Sequence, residues 1–346
     1  MTAETPAPSR ADSAAPTASQ ARTAWSRRIF DVVSRYGFVI VFFAFAVFFA
    51  LRADAFLNPS NLVNILEGNA VLLIAALAMT LVVASGGIDL SIGIAIDFGG
   101  WFAIIAMRDY DLTWASALLV GVLAGAAVGV LNAGLIVRLK ISPFLATLGT
   151  FFIGSSIQQI YTSGGGQVPF REMSESFRSL STGAVLGVPT EIVIAAVVGV
   201  VYFVLLERSV HGKRIHAIGL QRSVASVSGI RVSGYLVFVF VFASATVALS
   251  GIILTAGLRQ FTPLSGFSYL LDAIAAVFIG ASMHPQRRPN VAGTLLGVLF
   301  LGVVSNGLNL MGLDFNLRDA LEGIILVGAL ALAFANRNNR ARAVSI

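Results

Sequence analysis

Residues 84–93 have the sequence Ala-Ser-Gly-Gly-Ile-Asp-Leu-Ser-Ile-Gly, a polar, glycine-bearing break between two strongly apolar runs, 71–83 and 92–107. Both runs are typical of membrane helices. Backbone at membrane depth leaves helical structure only where protein or a water-filled cavity replaces the lost hydrogen bonds. A carboxylate in such a place, Asp89, is costly enough to indicate a function. The stretch therefore predicts a membrane protein with a polar break within or beside its apolar body.

The composition of the whole chain supports a membrane protein. Of its 346 residues, 57% are hydrophobic and only 12% are charged. A soluble domain has about a quarter of its residues charged, so this chain has too little polar surface to face water on all sides. The alternating segments of about ten residues that build a transmembrane β-barrel do not appear. We predict an all-α fold, a polytopic membrane helix bundle of about ten transmembrane helices.

The distribution of basic residues predicts the orientation of the bundle. Hydropathy places the spans at residues 38–51, 69–85, 92–107, 113–137, 142–161, 189–206, 234–257, 268–283, 291–311 and 320–335. Most of the 23 Lys and Arg residues fall in alternate connecting segments, on the side of the N-terminus; the remainder are Arg52, Arg108, Arg171, Arg178, Arg259 and Arg318. Because cytoplasmic segments are enriched in Lys and Arg, both termini are predicted to be cytoplasmic.

The chain divides into tails and a membrane domain. Residues 1–24 are rich in Ala, Ser, Thr and Pro, which predicts a disordered cytoplasmic tail. No apolar core with a small-residue cleavage site follows directly, so we expect no cleaved signal peptide. The predicted boundaries are 1–35 for the N-terminal tail, 36–336 for the transmembrane domain and 337–346 for a cytoplasmic C-terminal tail. Two connecting segments are long: an external, polar one at 162–188 and an internal, basic one at 208–232.

Four residues of the break are candidates for a structural or gating role. Gly86 and Gly87 permit backbone with positive φ, as a sharp reversal requires. Asp89 or Ser91 can cap the following helix by accepting its free N–H groups, where a negative charge is favoured by the helix dipole. The alternative for Asp89 is a place in the transport path or in its gate.

Other polar residues in apolar runs are candidates for a translocation path. Asp97 lies one and a half to two turns beyond the break, on a helix face expected to point into the bundle. The span at 142–161 has a polar stripe, in which hydroxyls and amides suit either a neutral polyol or bonds to neighbouring helices. The candidate path residues are Asp97, Thr147, Thr150, Gln158 and Asn306. For Asp272 and Glu322, placement at the membrane interface is the favoured alternative.

Small residues at spacing four predict helix packing rather than chemistry. Gly121, Gly125, Gly129 and Ala133 form one such ridge, and Gly293 and Gly297 form a shorter one. Ridges of this kind allow membrane helices to approach closely.

Several kinds of chemistry are absent from the sequence. It contains no Gly-x-x-x-x-Gly-Lys-Ser/Thr nucleotide loop, so we expect no ATP hydrolysis by this chain, no bound cofactor and no enzymatic activity. No catalytic set of Ser, His and Asp is visible. There is no cysteine, and the three histidines lie far from carboxylates at ligand spacing, so no metal site is expected. The net charge of +6 sits in short segments between apolar runs and indicates membrane topology rather than nucleic-acid binding.

Five blocks of sequence together resemble the permease subunits of bacterial ABC importers for monosaccharides, in the ribose-type branch. They are Ala-Ser-Gly-Gly-Ile-Asp-Leu-Ser-Ile-Gly at 84–93, Phe-Leu-Ala-Thr-Leu-Gly-Thr at 144–150, Gly-Lys-Arg-Ile-His-Ala-Ile-Gly at 212–219 followed by Ser-Gly-Ile at 228–230, Leu-Asp-Ala-Ile-Ala-Ala at 271–276, and Ser-Asn-Gly-Leu-Asn-Leu-Met-Gly at 305–312. The blocks occur in the order of the family and cover about 58–334. The chain departs from the family pattern at residues 220–222, at Leu270 and at 284–290, which suggests a subfamily with its own partner or substrate.

The resemblance implies partners and a location. It implies a dimer of this chain with a second copy or a paralogue in the bacterial inner membrane, among lipid, as a multi-pass permease. A periplasmic binding protein would deliver a monosaccharide, by analogy a pentose or related small sugar, and a separate cytoplasmic ATPase subunit would use ATP. By the same analogy, the segment 208–232 is the loop that couples to the ATPase, with candidate residues Gly212, Lys213, Arg214, Gly219 and Gly229.

Two alternatives from other classes stay open on the sequence. An ion-coupled secondary transporter would use the intramembrane acids Asp89 and Asp97, because such residues mark proton and ion pathways. A signalling or scaffold membrane protein would show neither transport nor an ATPase partner.

Overall fold

The computed structural model describes residues 38–284, 286–314, 316–318, 320–325 and 327–328. Its helices, in chain order, are α1 (Phe38–Arg52), α2 (Pro59–Gly68), α3 (Ala70–Ala84), α4 (Ile92–Arg108), α5 (Trp114–Val137), α6 (Pro143–Tyr161), α7 (Glu175–Thr182), α8 (Thr190–Phe203), α9 (Val210–Leu220), α10 (Arg222–Val227), α11 (Val232–Leu258), α12 (Gly266–Met283) and α13 (Val291–Leu310). A π-helical turn, Val204–Arg208, extends α8. The predicted helical bundle is therefore confirmed.

Length and hydropathy identify the membrane spans among these helices. Within the described ranges, five helices are long and apolar enough to cross a membrane, or six if α2 and α3, bent by 43° at their junction, form one span. The five are Trp114–Val137, Thr190–Arg208, Val232–Leu258, Gly266–Met283 and Val291–Leu310. The count of about ten and the cytoplasmic termini stay predictions. The tails 1–35 and 337–346 lie outside the described residues, as does much of the predicted span 320–335.

The centre of the bundle is α11, which packs against α3, α4 and α5. The predicted glycine ridge of α5 lies on this contact. A side-chain carbon at Gly125 would lie 2.5 Å from the Cβ of Ala248, and one at Gly129 would lie 2.5 Å from the carbonyl oxygen of Phe240. Any larger residue would force the two helices apart, so the ridge permits close packing, as its spacing predicts.

A second close contact joins α12 and α13. Gly280 and Gly293 face each other, and a side-chain carbon at Gly280 would lie 2.5 Å from backbone atoms of Gly293 and Thr294. Thr294 then reaches α3, where its hydroxyl lies 2.7 Å from that of Thr80. Both hydroxyls are buried and bonded, so neither is a cost in the apolar interior.

Short strands and helices occupy the segments between the spans. From the predicted external segment, β1 (Val168–Pro169) pairs antiparallel with β4 (Gln260–Phe261), which follows α11, and β2 (Ala184–Val185) pairs with β3 (Val188–Pro189). Helix α7 belongs to this segment and buries Phe177 completely. The predicted internal basic segment contains α9 and α10 rather than an extended loop.

Candidate translocation and coupling sites

The break between α3 and α4 is a reversal built on glycine. Gly86 has φ +80°, a conformation that L side chains rarely adopt. Gly87 has no positive φ and instead allows close packing, because a side-chain carbon there would lie 3.3 Å from the Cβ of Pro143. Only the first of the two predicted glycines therefore needs the left-handed backbone.

The buried carboxylate of Asp89 organises the start of α4. Its Oδ1 accepts a hydrogen bond from the backbone N–H of Ser91 at 2.8 Å and another from the Ser91 hydroxyl at 2.6 Å. Both residues are fully buried. Ser91 stands at the N-cap of α4, but its side chain does not accept an N–H of the helix. The carboxylate thus accepts the hydrogen bonds of both donors of the N-cap residue, the backbone N–H and the hydroxyl of Ser91, just before the first turn of α4.

Asn132 of α5, which was not among the residues predicted from sequence, connects this break to α6. Its Nδ2 donates to the Ser91 hydroxyl at 2.6 Å, and its Oδ1 accepts from the Thr150 hydroxyl at 2.7 Å. The hydroxyl of Thr147 accepts from the backbone N–H of Leu90 at 3.1 Å. Of the two predicted path threonines, Thr147 therefore bonds to the break directly, and Thr150 is connected to it through Asn132. Asn132 could have been recognised in the sequence as a single amide side chain within an otherwise apolar run.

The chain enters the bundle between α11 and α12. Phe261 stacks on Trp101 of α4 with ring centroids 5.6 Å apart, whereas Gly266, which begins α12, packs against Gly93 near the start of α4. At 1.5 Å per residue, these two levels of α4 are about 12 Å apart. Residues 262–265 therefore run along α4 into the interior, where non-helical backbone needs protein partners.

Asp97 and Gln158 supply those partners. Asp97 Oδ1 accepts from the backbone N–H of Gly266 at 2.8 Å and from the Ser265 hydroxyl at 2.9 Å, and Gln158 Oε1 accepts from the N–H of Leu264 at 2.9 Å. Both side chains are buried. Within the described part of the chain, Asp97 Oδ2 and Gln158 Nε2 have no hydrogen-bond partner. Two of the predicted path residues thus meet at the start of α12.

Asn306 belongs to neither group. It exchanges two hydrogen bonds with Asn61 of α2, at 2.9 and 3.0 Å, and so joins α2 to α13. The predicted path residues are therefore divided among three places in the bundle.

Helix α9 packs its glycines against backbone and exposes its basic residues. A side-chain carbon at Gly212 would collide with the carbonyl oxygens of Leu205 and Leu206 in the π-helical turn, and one at Gly219 would lie 3.0 Å from the backbone nitrogen of Gly86. Lys213 and Arg214 are exposed. Gly229 has φ +81° in the turn that follows α10. The five predicted coupling residues thus lie on one helical segment that touches the break.

Neighbouring polar groups hold this segment in place. Arg214 donates to the Tyr235 hydroxyl at 3.0 Å, and the two ring nitrogens of His216 lie 2.9 and 3.0 Å from the carbonyl oxygens of Gly212 and Pro289. In the segment after α12, burial lowers the pKa of His284, and the adjacent Arg288 lowers it further. The segment 208–232 is therefore tied both to α11 and to the residues that precede α13.

A bundle of long apolar helices, with polar side chains buried at a break and a basic helical segment packed on that break, defines a multi-pass membrane protein. The chain belongs to the family described as branched-chain amino acid transport system / permease component, whose model matches residues 61–330. The ion-coupled alternative finds no support in these comparisons.

Curated relatives match over nearly their full length. The chain is similar to the ribose import permease protein RbsC of Bacillus subtilis, with 33% identity over 90% of this chain and 97% of the relative. It is 27% identical to the D-allose transport system permease protein AlsC of Escherichia coli, over 86% of this chain and 91% of the relative. It is 29% identical to the L-arabinose ABC transporter permease protein AraH of Azospirillum brasilense, over 92% of both chains. No solved structure matches it.

Proposed function

We propose that this chain is the membrane-spanning permease subunit of an ABC importer for a monosaccharide, a pentose or related small sugar. The observation that carries the proposal is the similarity to the ribose import permease of Bacillus subtilis along nine tenths of the chain. The allose and arabinose permeases support the same substrate class. No cofactor is assigned to this chain, because ATP is used by a partner subunit.

The partner ATPase docks on the cytoplasmic surface of α9 and α10. The exposed side chains of Lys213 and Arg214 offer positive charge to it, and Arg231 follows on the same segment. Movement of α9 then passes to the break, because Gly219 lies on Gly86 without an intervening side chain. Rigid elements in direct contact transmit such motion as a shift of packed bodies.

The remaining parts of the importer lie outside and beside the chain. A periplasmic binding protein delivers the sugar to the opposite face, on which 162–188 and α7 lie. The bundle has about ten spans with both termini in the cytoplasm, and it sits in the inner membrane against lipid and a second permease, a copy or a paralogue. Nucleic acid is not a partner.

The candidate residues take separate roles in this importer. Gly86, Gly87, Asp89 and Ser91 form the break that moves with α9. Thr147 is bonded to Leu90 of this break, and Thr150 is connected to Ser91 through Asn132. Asp97 and Gln158 accept hydrogen bonds from the backbone at the start of α12, and they are the leading candidates for the sugar path. Asn306 is a further path candidate that is bonded to Asn61.

Transport in proteoliposomes tests the function. The chain is reconstituted with its copurifying ATPase and binding protein, and the uptake of labelled ribose, allose, L-arabinose and leucine is compared. We expect ATP-dependent uptake of a sugar. Leucine is the control, because the description of the family names branched-chain amino acids. ATP-dependent uptake of leucine alone, or sugar uptake by the chain alone on an ion gradient, would contradict the proposal.

A further inference from the structure

Residues 259–265 form a strap that runs from the predicted external end of α11 into the interior of the bundle. Near its start, Phe261 is buried against Trp101 of α4, and directly after its end Gly266 packs against Gly93 of the same helix. Non-helical backbone inside a membrane bundle needs protein partners for its polar groups. The contacts of the strap therefore decide what it can do.

The outer end of the strap is tied to the external segment 162–188. The backbone N–H of Phe170 donates to the carbonyl oxygen of Arg259 at 2.9 Å, and the Arg259 guanidinium donates to the carbonyl oxygen of Arg171. Next to these bonds, β1 of the external segment pairs with β4 of the strap. Because backbone hydrogen bonds join the two strands directly, a displacement of β1 is passed to β4.

The inner end of the strap is held by two side chains from other helices. Gln158 of α6 accepts a hydrogen bond from the N–H of Leu264, and Asp97 of α4 accepts from the hydroxyl of Ser265 and from the N–H of Gly266. We call Asp97 and Gln158 the latch. Because α12 begins directly after the strap, a withdrawal of the strap from the latch also releases the start of α12.

The strap is held in a strained conformation. Arg259 at its start has φ 55° and Leu264 near its end has φ 62°, a left-handed backbone that is unfavourable for residues with a side chain. Among the residues that the structure describes, the buried atoms Asp97 Oδ2, Gln158 Nε2 and Trp101 Nε1 have no hydrogen-bond partner, which is a further cost. Local strain of this kind is typical of switch regions, in which a second position relieves it.

We propose that the strap couples docking of the binding protein to the start of α12. Docking on the external segment 162–188 displaces β1 and with it β4, the strap leaves the latch, and the start of α12 becomes free to move. This inference rests on the proposed function and adds how a partner outside the membrane acts on the interior of the bundle. The binding protein drives the change to the extent that it binds the released form more tightly than the latched form.

Thiol labelling tests the movement of the strap. The chain has no cysteine, so an introduced thiol is the only one. In the reconstituted importer, a water-soluble maleimide should label Thr262→Cys severalfold faster once the sugar-loaded binding protein is added. The control is Tyr110→Cys, which is 71% exposed between α4 and α5 and whose labelling should not rise. An unchanged rate at Thr262→Cys, in an importer with normal sugar uptake, would overturn the proposal.

Substitution of Gln158 tests the latch without any partner protein. Gln158→Leu removes the acceptor of the Leu264 N–H, so Thr262→Cys should be labelled about two- to tenfold faster in the permease alone, the range that the loss of one hydrogen bond predicts. The matched control is Gln159→Leu, because Gln159 is the exposed neighbour on the same helix and should leave the rate unchanged. Equal rates in the two variants would contradict the role of Gln158 in the latch.

An insertion tests the mechanical connection between β4 and the latch. Two glycines placed between Phe261 and Thr262 leave β4 in place but lengthen the strap. The binding protein should then dock with unchanged affinity, while sugar uptake falls severalfold. The control is the same insertion between Leu186 and Gly187, in the turn between β2 and β3 of the external segment, which should retain uptake. Normal uptake by the strap insertion would contradict the coupling.

The strap and the proposed function fail separately. ATP-driven sugar uptake by an importer whose Thr262→Cys labelling never changes removes only this inference. Faster labelling in Gln158→Leu, in a protein that shows no ATP-driven sugar uptake with its partners, supports the latch and removes the proposed function.

Discussion

The backbones of Gly86 and Gly219 pack directly on each other, so that a side-chain carbon at Gly86 would lie 3.1 Å from both the Cα and the carbonyl oxygen of Gly219. The first glycine lies in the break between α3 and α4, and the second lies near the end of the basic helix α9. Because no side chain separates them, a displacement of α9 moves the break itself.

Gly219→Ala should uncouple transport from ATP hydrolysis. The added methyl would collide with the carbonyl oxygen of Ala84 and force α9 away from the break. We expect ATP hydrolysis by the assembled importer to continue while sugar uptake falls severalfold. The control is Gly134→Ala, because a side-chain carbon at Gly134 meets no atom within 4 Å. Equal uptake per ATP hydrolysed in the two variants would argue against this contact as the coupling element.

Charge reversal at Lys213 and Arg214 should weaken binding of the ATPase. Both side chains are exposed on α9, so Lys213→Glu with Arg214→Glu changes the surface with little change to the core. Pull-down of the ATPase should fall at least about tenfold, because like charges placed across an interface are repelled. Arg138→Glu is the control, since Arg138 is exposed in another predicted cytoplasmic segment. Unchanged pull-down by the double variant would remove α9 from the docking surface.

Substitutions of Asp89 should separate a structural role from a gating role. In Asp89→Asn the side-chain oxygen can still accept the backbone N–H of Ser91, so we expect nearly normal abundance and uptake. Asp89→Leu leaves that buried N–H without a partner, a loss of about 1–3 kcal/mol, and should reduce abundance in the membrane. If Asp89→Asn is abundant but inactive, the charge itself is needed for gating.

Asn132 should be coupled energetically to Thr150. Each of Asn132→Ala and Thr150→Val removes the 2.7 Å hydrogen bond between them. The unfolding free energy of each variant in detergent should fall by about 1–3 kcal/mol, and the double variant should fall by less than the sum. Strictly additive losses would show that the two side chains act independently.

Asp97→Leu should disorganise the start of α12. The N–H of Gly266 and the hydroxyl of Ser265 would lose their acceptor, which predicts a loss of stability of about 1–3 kcal/mol and reduced uptake. Asp97→Asn keeps one accepting oxygen and should restore much of the stability. The comparison is thermal unfolding and uptake of the same preparations. Equal behaviour of the two variants would contradict the role of Asp97 as the hydrogen-bond acceptor at the start of α12.

Acid should weaken the segment after α12 through His284. The N–H of Gln286 lies 3.1 Å from Nδ1 of the His284 ring, and Arg288 Nε lies 3.3 Å from Nε2 of that ring. The neutral ring can accept a hydrogen bond from one of these two donors, and the protonated ring can accept from neither. Because the folded pKa is lowered, this stabilisation is present above the unfolded value of about 6.5 and is lost as pH falls through the folded value. His284→Phe should therefore unfold with a smaller dependence on pH between about 5 and 7. An unchanged dependence would exclude His284 as its source.

The structure differs from the sequence expectations mainly in short polar elements. The long apolar runs predicted α3–α6 and α11–α13 to within a few residues, because hydropathy alone specifies such spans. Helices α2, α7, α9 and α10 were not predicted. They are short, mixed in polarity and stabilised by their contacts with the bundle, so local sequence gives them little signal.

In the candidate sites, too, the residues themselves could be predicted from sequence, whereas their contacts could not. The sequence located the break, its glycines and its carboxylate, because charge and glycine within an apolar run are visible without a fold. It could not show that Thr147 bonds to the break, that Asn132 bridges Ser91 and Thr150, or that Gln158 and Asp97 meet at residues 264–266. These partners lie up to 169 positions apart in the chain, and only packing decides which buried donor finds which acceptor.

The sequence by itself therefore determined the class of protein, the positions of its long spans and the basic segment between α8 and α11. The tertiary structure alone decided that this segment touches the break at Gly86 and Gly219, and that Asp272 stands on an exposed face rather than in the core. The physical reason is that hydropathy and charge are properties of single segments. Backbone contact and exposure depend on how several helices are placed together.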